Sequence, residues 1–135
     1  MKKLVECVPN FSEGRREDVI KSIMAAISED PAVRILDREM DPDHNRSVLT
    51  LVGEPEAVKQ AAFRAIARAA TLIDLTRHQG EHPRMGATDV VPFIPLAGVT
   101  MEECVTLARE LGQLVGERLE IPVYLYEEAA SRPER

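Results

Sequence analysis

Three histidines, His44, His78 and His82, stand in stretches rich in charge, Gly and Pro, and none lies on an apolar face. An imidazole titrates near neutrality, so one such side chain can take a proton and later return it. His78 and His82 have the i, i+4 spacing of a helical metal pair, and with His44 they could make a three-histidine zinc site. Gly80 and Pro83 oppose a helix there, and no Glu follows His78 as in HExxH, so no metal is expected. Gly80 and Gly86 form neither a GxGxxG pattern nor a P-loop, and no serine occupies a GxSxG elbow. Cys7 and Cys104 lie in the apolar windows LVECV and MEECVTLA without CxxC spacing, which reads as two inert buried thiols.

The elements that must position these side chains follow from periodicity. Leu4 to Val8 reads as a strand ended by Pro9-Asn10. A helix opening at Ser12 or Glu13-Gly14 carries Val19, Ile20, Ile23, Met24 and Ile27 on one face, and Asp30-Pro31 stops it. Val33 to Met40 and Ser47 to Gly53 read as an antiparallel pair joined by Asp41-Pro42-Asp43-His44-Asn45. Glu54-Pro55 starts an Ala-rich helix through Thr71, with Val58, Ala62, Ile66 and Ala69 on its inner face.

Ile73 to Leu75 reads as a brief strand, and residues 76–89 form a polar segment holding His78 and His82. Val90 to Leu96 is a strand pushed toward a sheet edge by Pro92 and Pro95. Thr100 and Glu103 make a capping box for a helix whose inner face is Cys104, Leu107, Ala108, Leu111, Leu114 and Val115. Ile121 to Leu125 is a last strand, and residues 126–135 read as a frayed charged tail.

The expected order is β-α-β-β-α-β-α-β, an α+β, ferredoxin-like split βαβ sandwich with helices on one face of an antiparallel sheet. In Ser47–Gly53, Leu49 and Leu51 point one way while Val48, Thr50 and Val52 point the other. Both sheet faces should then be substantially apolar, and the one without helices needs a cover.

A chain of 135 residues, 44% hydrophobic, is expected to form one domain over residues 1–135 with its own core. The net charge is −6; the first 72 residues carry 11 basic and 12 acidic side chains and the rest carry 6 and 11. That balance, with aromatics at 4% and no Trp, argues against a nucleic-acid partner. No apolar run approaches the length of a membrane span and Met1-Lys2-Lys3 leads into no signal core, so a cytoplasmic setting is expected and no membrane partner.

Three stretches carry a family resemblance. Val8-Pro9-Asn10-Phe11-Ser12-Glu13-Gly14-Arg15, then Asp43-His44-Asn45-Arg46-Ser47-Val48 followed by Gly53, then His82-Pro83-Arg84-Met85-Gly86-Ala87-Thr88-Asp89-Val90 running on to Leu96, resemble glutamate formiminotransferase in the same order. The likeness covers the chain but only the N-terminal half of that family's transferase domain, as found also in formiminotransferase-cyclodeaminase.

The resemblance implies transfer of a formimino group from N-formimino-L-glutamate to N5 of tetrahydrofolate in histidine breakdown, with tetrahydrofolate as co-substrate. It also implies a second half whose sheet faces this one across the folate, and it assigns the catalytic histidine to His82. Attack of N5 on the amidine carbon gives a tetrahedral intermediate, so a proton must leave N5 and one must reach the departing glutamate nitrogen. Both substrates carry carboxylates, so cations within the matching motifs, Arg46 and Arg84, are expected to hold them. Glu39, Asp41, Asp43 and Asp89 offer acceptors for amidine and pterin N–H groups, Asn10 and Asn45 offer amides or shape their turns, and Gly86 lies within the third motif.

Taken together, His82 is the expected general acid/base, and Arg46, Arg84, Asn10, Asn45, Glu39, Asp43 and Gly86 are the expected substrate- and folate-binding residues. The chain should pair through its open sheet face, with the missing half or as a homo-oligomer, burying about 800 Å² per partner. Two readings from other classes stand beside this one, a non-catalytic folate- or partner-binding subunit and an amidine hydrolase.

Overall fold

A computed structural model describes residues 3–73 and 88–119, with the backbone alone at 88–90. The chain runs β1 (Leu4–Cys7), β2 (Asn10–Phe11), α1 (Glu17–Ile27), β3 (Arg34–Asp41), β4 (Arg46–Gly53), α2 (Pro55–Leu72), β5 (Thr88–Val90), β6 (Phe93–Ala97) and α3 (Met101–Leu119). The expected strands at Ile73–Leu75 and Ile121–Leu125, and the charged tail, fall on or run into residues outside the described ones; Ile73 itself caps α2.

The sheet is antiparallel throughout, and two of its strands are each split in two. Val5, Glu6 and Cys7 of β1 pair with Gly53, Val52 and Leu51, and Asn10 and Phe11 of β2 continue along the same strand opposite Val48 and Ser47. Pro9 has no N–H and interrupts the ladder, while its carbonyl still accepts from Leu49 N at 3.1 Å. On the other side Pro92 separates β5 from β6, and its carbonyl accepts from Val8 N at 3.2 Å. Joined in this way, the strands take the order β3, β4, β1 with β2, then β6 with β5, which is the split βαβ sheet of a ferredoxin-like α+β fold. The Pro-bearing strand forms an edge among the described residues, as Pro92 and Pro95 imply.

All three helices pack on one face, where Val5, Cys7, Phe11, Leu49, Leu51 and Phe93 are buried with the apolar stripes of α1, α2 and α3. Helix α3 starts at the expected capping box, with Thr100 N donating to Glu103 Oε1 at 2.8 Å and Glu103 N to Thr100 Oγ1 at 3.1 Å. Helix α1 starts later than its polar lead-in suggests. Glu13 is held instead by the N–H groups ahead of Glu17, and its Oε2 accepts from Arg15 N at 3.1 Å and Arg16 N at 2.8 Å. That capping-like arrangement keeps residues 12–16 as a loop against the β3–β4 hairpin.

The opposite face is less apolar than the alternation in β4 alone suggests. Val48, Thr50 and Val52 are half-buried. Cross-strand register sets charged side chains beside them: Glu39 opposite Val48, Asp37 opposite Thr50, and Arg34 and Glu6 opposite Val52. Leu36, Ile94 and Leu96 are exposed large apolar residues, at 60%, 39% and 49%. Among the described residues no helix is long and apolar enough to cross a membrane.

Candidate active site

The described parts of the three stretches that resemble one family in sequence meet at one end of the sheet. The first supplies β2 and the loop after it, the second supplies the hairpin turn and the start of β4, and the third supplies β5. Asn10 and Phe11 lie between Val48 and Ser47 on one side and Val90 and Thr88 on the other. Glu39, Val48 and Asn10 thus form one row across three strands on the face without helices, with the Val90 backbone next in register. With strands about 4.8 Å apart, Glu39 and Asn10 stand about 10 Å from one another across Val48. Arg46 is in register with Asp41 at the next position of the same face and is exposed.

Backbone interlocking holds this end together. Gly14 N donates to Asn45 Oδ1 at 2.8 Å, Ser47 Oγ donates to the Glu13 carbonyl, and Arg15 Nε donates to the Pro42 carbonyl at 2.7 Å. Gly14 must be glycine here, because a Cβ would press on the Arg46 backbone and come within 2.5 Å of the Asp41 carbonyl oxygen. Asn45 has φ 52, a left-handed conformation that Asn tolerates better than most residues. Its carbonyl oxygen therefore ties the turn to the loop, which places it in structure as well as among the expected site residues.

The other expected residues divide clearly. Asn10 is half-buried and donates from Nδ2 to the Val8 carbonyl at 3.2 Å. Glu39 and Asp43 are exposed, and the Asp43 N–H donates to Asp41 Oδ1 at 3.0 Å, an Asx turn that shapes the hairpin. His82, Arg84 and Gly86, with His78, lie outside the described residues, six, four and two positions before Thr88 for the first three. The side chain of Asp89 is likewise outside the description.

Of two further charged groups at this end, Glu13 drew no role from sequence and Asp41 was offered only as an N–H acceptor. Glu13 is only 3% exposed. Burial works against its charge, but hydrogen bonds from the Arg16 side chain and from the N–H groups of Arg16 and Arg15 outweigh it and hold the carboxyl below the usual carboxylate range. Its place inside the first matching stretch was its only sequence signal. Asp41 lies 2.6 Å from His44 Nδ1, and that hydrogen bond, with those from the backbone N–H groups of His44 and Asp43, lowers its pKa although it is exposed. The i, i+3 spacing of an Asp and a His across a turn was legible, and pairs His44 with a hairpin carboxylate. Among the described residues no cluster of three or more His, Cys, Asp or Glu is placed to hold a metal ion. Burial pushes the thiols of Cys7 and Cys104 up, which makes both poor nucleophiles.

A cavity of about 570 Å³ lies elsewhere, lined by Lys3, Glu54, Glu56, Glu103, Thr106 and Leu107 near the starts of α2 and α3. None of the matching stretches lines it.

Residues 4–135 match the family described as the formiminotransferase domain, N-terminal subdomain. The chain belongs to that family. It is 59% identical over 132 residues to a glutamate formimidoyltransferase of Thermoplasma acidophilum, covering 98% of this chain and 44% of that protein. It is 55% identical to the mouse formimidoyltransferase-cyclodeaminase over its whole length, which is 25% of that protein. The glutamate formimidoyltransferase of Streptococcus pyogenes is 48% identical over the whole chain and 45% of its own length. The chain therefore spans less than half of the curated relatives it matches, and the stretches now seen to meet at one end of the sheet lie within that shared part.

Proposed function

We propose that residues 1–135 act as one subdomain, the half of a glutamate formimidoyltransferase that carries the proton-transfer histidine. The reaction is transfer of the formimino group of N-formimino-L-glutamate to N5 of tetrahydrofolate in histidine breakdown. The observation that carries this reading is the convergence of three separate stretches on one sheet end, in a chain 59% identical to a protein named for that activity.

The residues suit those substrates. Arg46 offers a planar cation for a carboxylate, with a geometry that lysine lacks. Glu39, in the row with Asn10, offers an acceptor for amidine or pterin N–H groups. His82 takes the proton released at N5 and returns one to the leaving nitrogen, with Arg84 as the second carboxylate contact and Asn10, Asp43 and Gly86 as further substrate-binding residues. Tetrahydrofolate enters as co-substrate, not as a resident group, and no residue is assigned to a metal. A second half faces the open sheet side and closes the site; its covering accounts for Val48, Thr50 and Val52 on a face without helices. A cytoplasmic setting agrees with two free buried thiols.

The test is an assay of formiminoglutamate consumption by the longer protein, with and without tetrahydrofolate. Consumption that requires folate is expected. Consumption without it would make the protein a hydrolase, and none in either condition would make this a binding module. The 135-residue chain assayed alone, with sedimentation alongside, should show weak or no turnover and should associate; a fully active monomer at micromolar concentration would overturn the need for a second half.

A further inference from the structure

We infer that Asn45 is a positioning residue, whose carbonyl oxygen locks the Gly14 N–H so that Arg46 is held in register for an anionic substrate group; the inference rests on the transferase reading. The lock joins parts of the chain 31 residues apart at 2.8 Å. Its two sides are bound to the groups it would position. Arg46 follows Asn45 directly and begins β4, and Asn10 begins the short strand that leads to Glu13 and Gly14.

Three neighbouring features make this a built junction. The Asn45 backbone takes φ 52, which costs most residues about 1–2 kcal/mol. Gly14 leaves no room for a Cβ against Arg46 and Asp41. The Ser47 hydroxyl and the Arg15 side chain bridge the same two segments, to the Glu13 and Pro42 carbonyls. An arginine at the first position of a strand that follows a turn has its register set by that turn. If the turn shifts, the guanidinium moves relative to the face it serves, and a misplaced clamp weakens binding before it slows chemistry.

The chemistry separates three substitutions. Asn45→Asp keeps an acceptor oxygen and tolerates the left-handed backbone. Asn45→Gly takes that backbone freely but has no acceptor. Asn45→Ala lacks both. In the full-length protein, Asn45→Gly and Asn45→Ala should raise KM for formiminoglutamate or the folate by about tenfold, the worth of one part-buried hydrogen bond, with kcat little changed. Asn45→Asp should come within about threefold of the wild type, by the same scale. Hydrogen exchange at the Gly14 amide should be slow in the wild type and Asn45→Asp and fast in the other two, independently of any substrate.

Asn45→Asp as impaired as Asn45→Ala would mean that the amide nitrogen itself meets substrate, and would overturn the positioning role. A wild-type KM in Asn45→Gly, with fast Gly14 exchange, would show that the lock positions nothing that binding needs. A wild type that turns over no formiminoglutamate with folate would defeat the functional reading and this role together, while the exchange data would still report whether the bond exists.

Discussion

Glu13 lies under Arg16 as an ion pair with its carboxylate enclosed and the guanidinium half exposed: Oε1 accepts from Arg16 Nε at 2.9 Å and stands 2.8 Å from the second guanidinium nitrogen, while Oε2 accepts from Arg16 N at 2.8 Å and Arg15 N at 3.1 Å. One carboxylate thereby satisfies the donors ahead of α1 and fixes the loop that carries Gly14. The arrangement has consequences for pH.

Because the Glu13 carboxyl titrates lower in the folded state than in the unfolded chain, its contribution to stability is present above the ordinary carboxylate range and is lost as pH falls through the lowered folded value. Urea midpoints measured between pH 3 and 7 should fall on acidification. Glu13→Gln, which cannot ionise, should be less stable at pH 7 and show a flatter acid limb. An identical pH dependence in the variant would remove Glu13 as a contributor.

His82→Ala in the full-length enzyme should lose about 10²–10⁴-fold in kcat with little change in substrate binding, as expected when one general acid/base is removed. Turnover and isothermal titration with the folate measure the two sides. Near-full turnover from pH 6 to 8 would exclude His82 from the proton transfers.

Arg46→Ala and Arg84→Ala should raise apparent substrate dissociation constants more than they lower kcat, because holding a carboxylate is mostly uniform binding. The exposed position of Arg46 adds a condition: its contribution should shrink as ionic strength rises. Unchanged binding of both substrates in both variants would leave these arginines as surface residues.

Arg64 reaches from α2 to the end of α1, donating from Nε to the Ala26 carbonyl at 2.7 Å and from NH2 to the Ile27 carbonyl at 3.0 Å. Both lie in the last turn, where a helix end leaves carbonyls short of i+4 partners, and the Ala26 carbonyl otherwise accepts a long bond from Glu29 N at 3.5 Å. Arg64→Ala should destabilise the fold by about 1.5–3 kcal/mol in denaturant unfolding, the range for hydrogen bonds to a charged group, and leave kcat and KM unchanged. A stability loss within error would show that water replaces the guanidinium at no cost.

Most elements were legible from local pattern alone. Val19, Ile20, Ile23 and Ile27 recur at helical spacing and line the buried side of α1, and Val58, Ala62, Ile66 and Ala69 do the same for α2. Thr100 and Glu103 announced the start of α3 and Pro9 the end of β1, whereas Pro92, read only as a sign of a sheet edge, breaks the expected Val90–Leu96 strand in two because a residue without N–H cannot complete a ladder. The alternation in β4 showed that Leu49 and Leu51 share one face and Val48, Thr50 and Val52 the other, and burial assigns the first pair to the helices. Each of these depends on neighbours a few residues apart in the chain, which is the range over which periodicity, capping and proline chemistry act.

What a strand lies beside is a different matter. That Glu39 and Asn10 flank Val48, that Glu6 and Arg34 flank Val52, and that the open face is therefore mixed in character depended on register between segments tens of residues apart. The delayed start of α1 and the buried charge of Glu13 had the same origin. The carboxylate's own partners, Arg15 and Arg16, are local, but the loop that carries it is tied to a hairpin 31 residues away through Gly14 and Asn45. Sequence spacing determined which residues could share a face of one element; the tertiary structure alone decided which elements share an end of the sheet, because cross-strand hydrogen bonds and close backbone approach join positions that no local pattern connects.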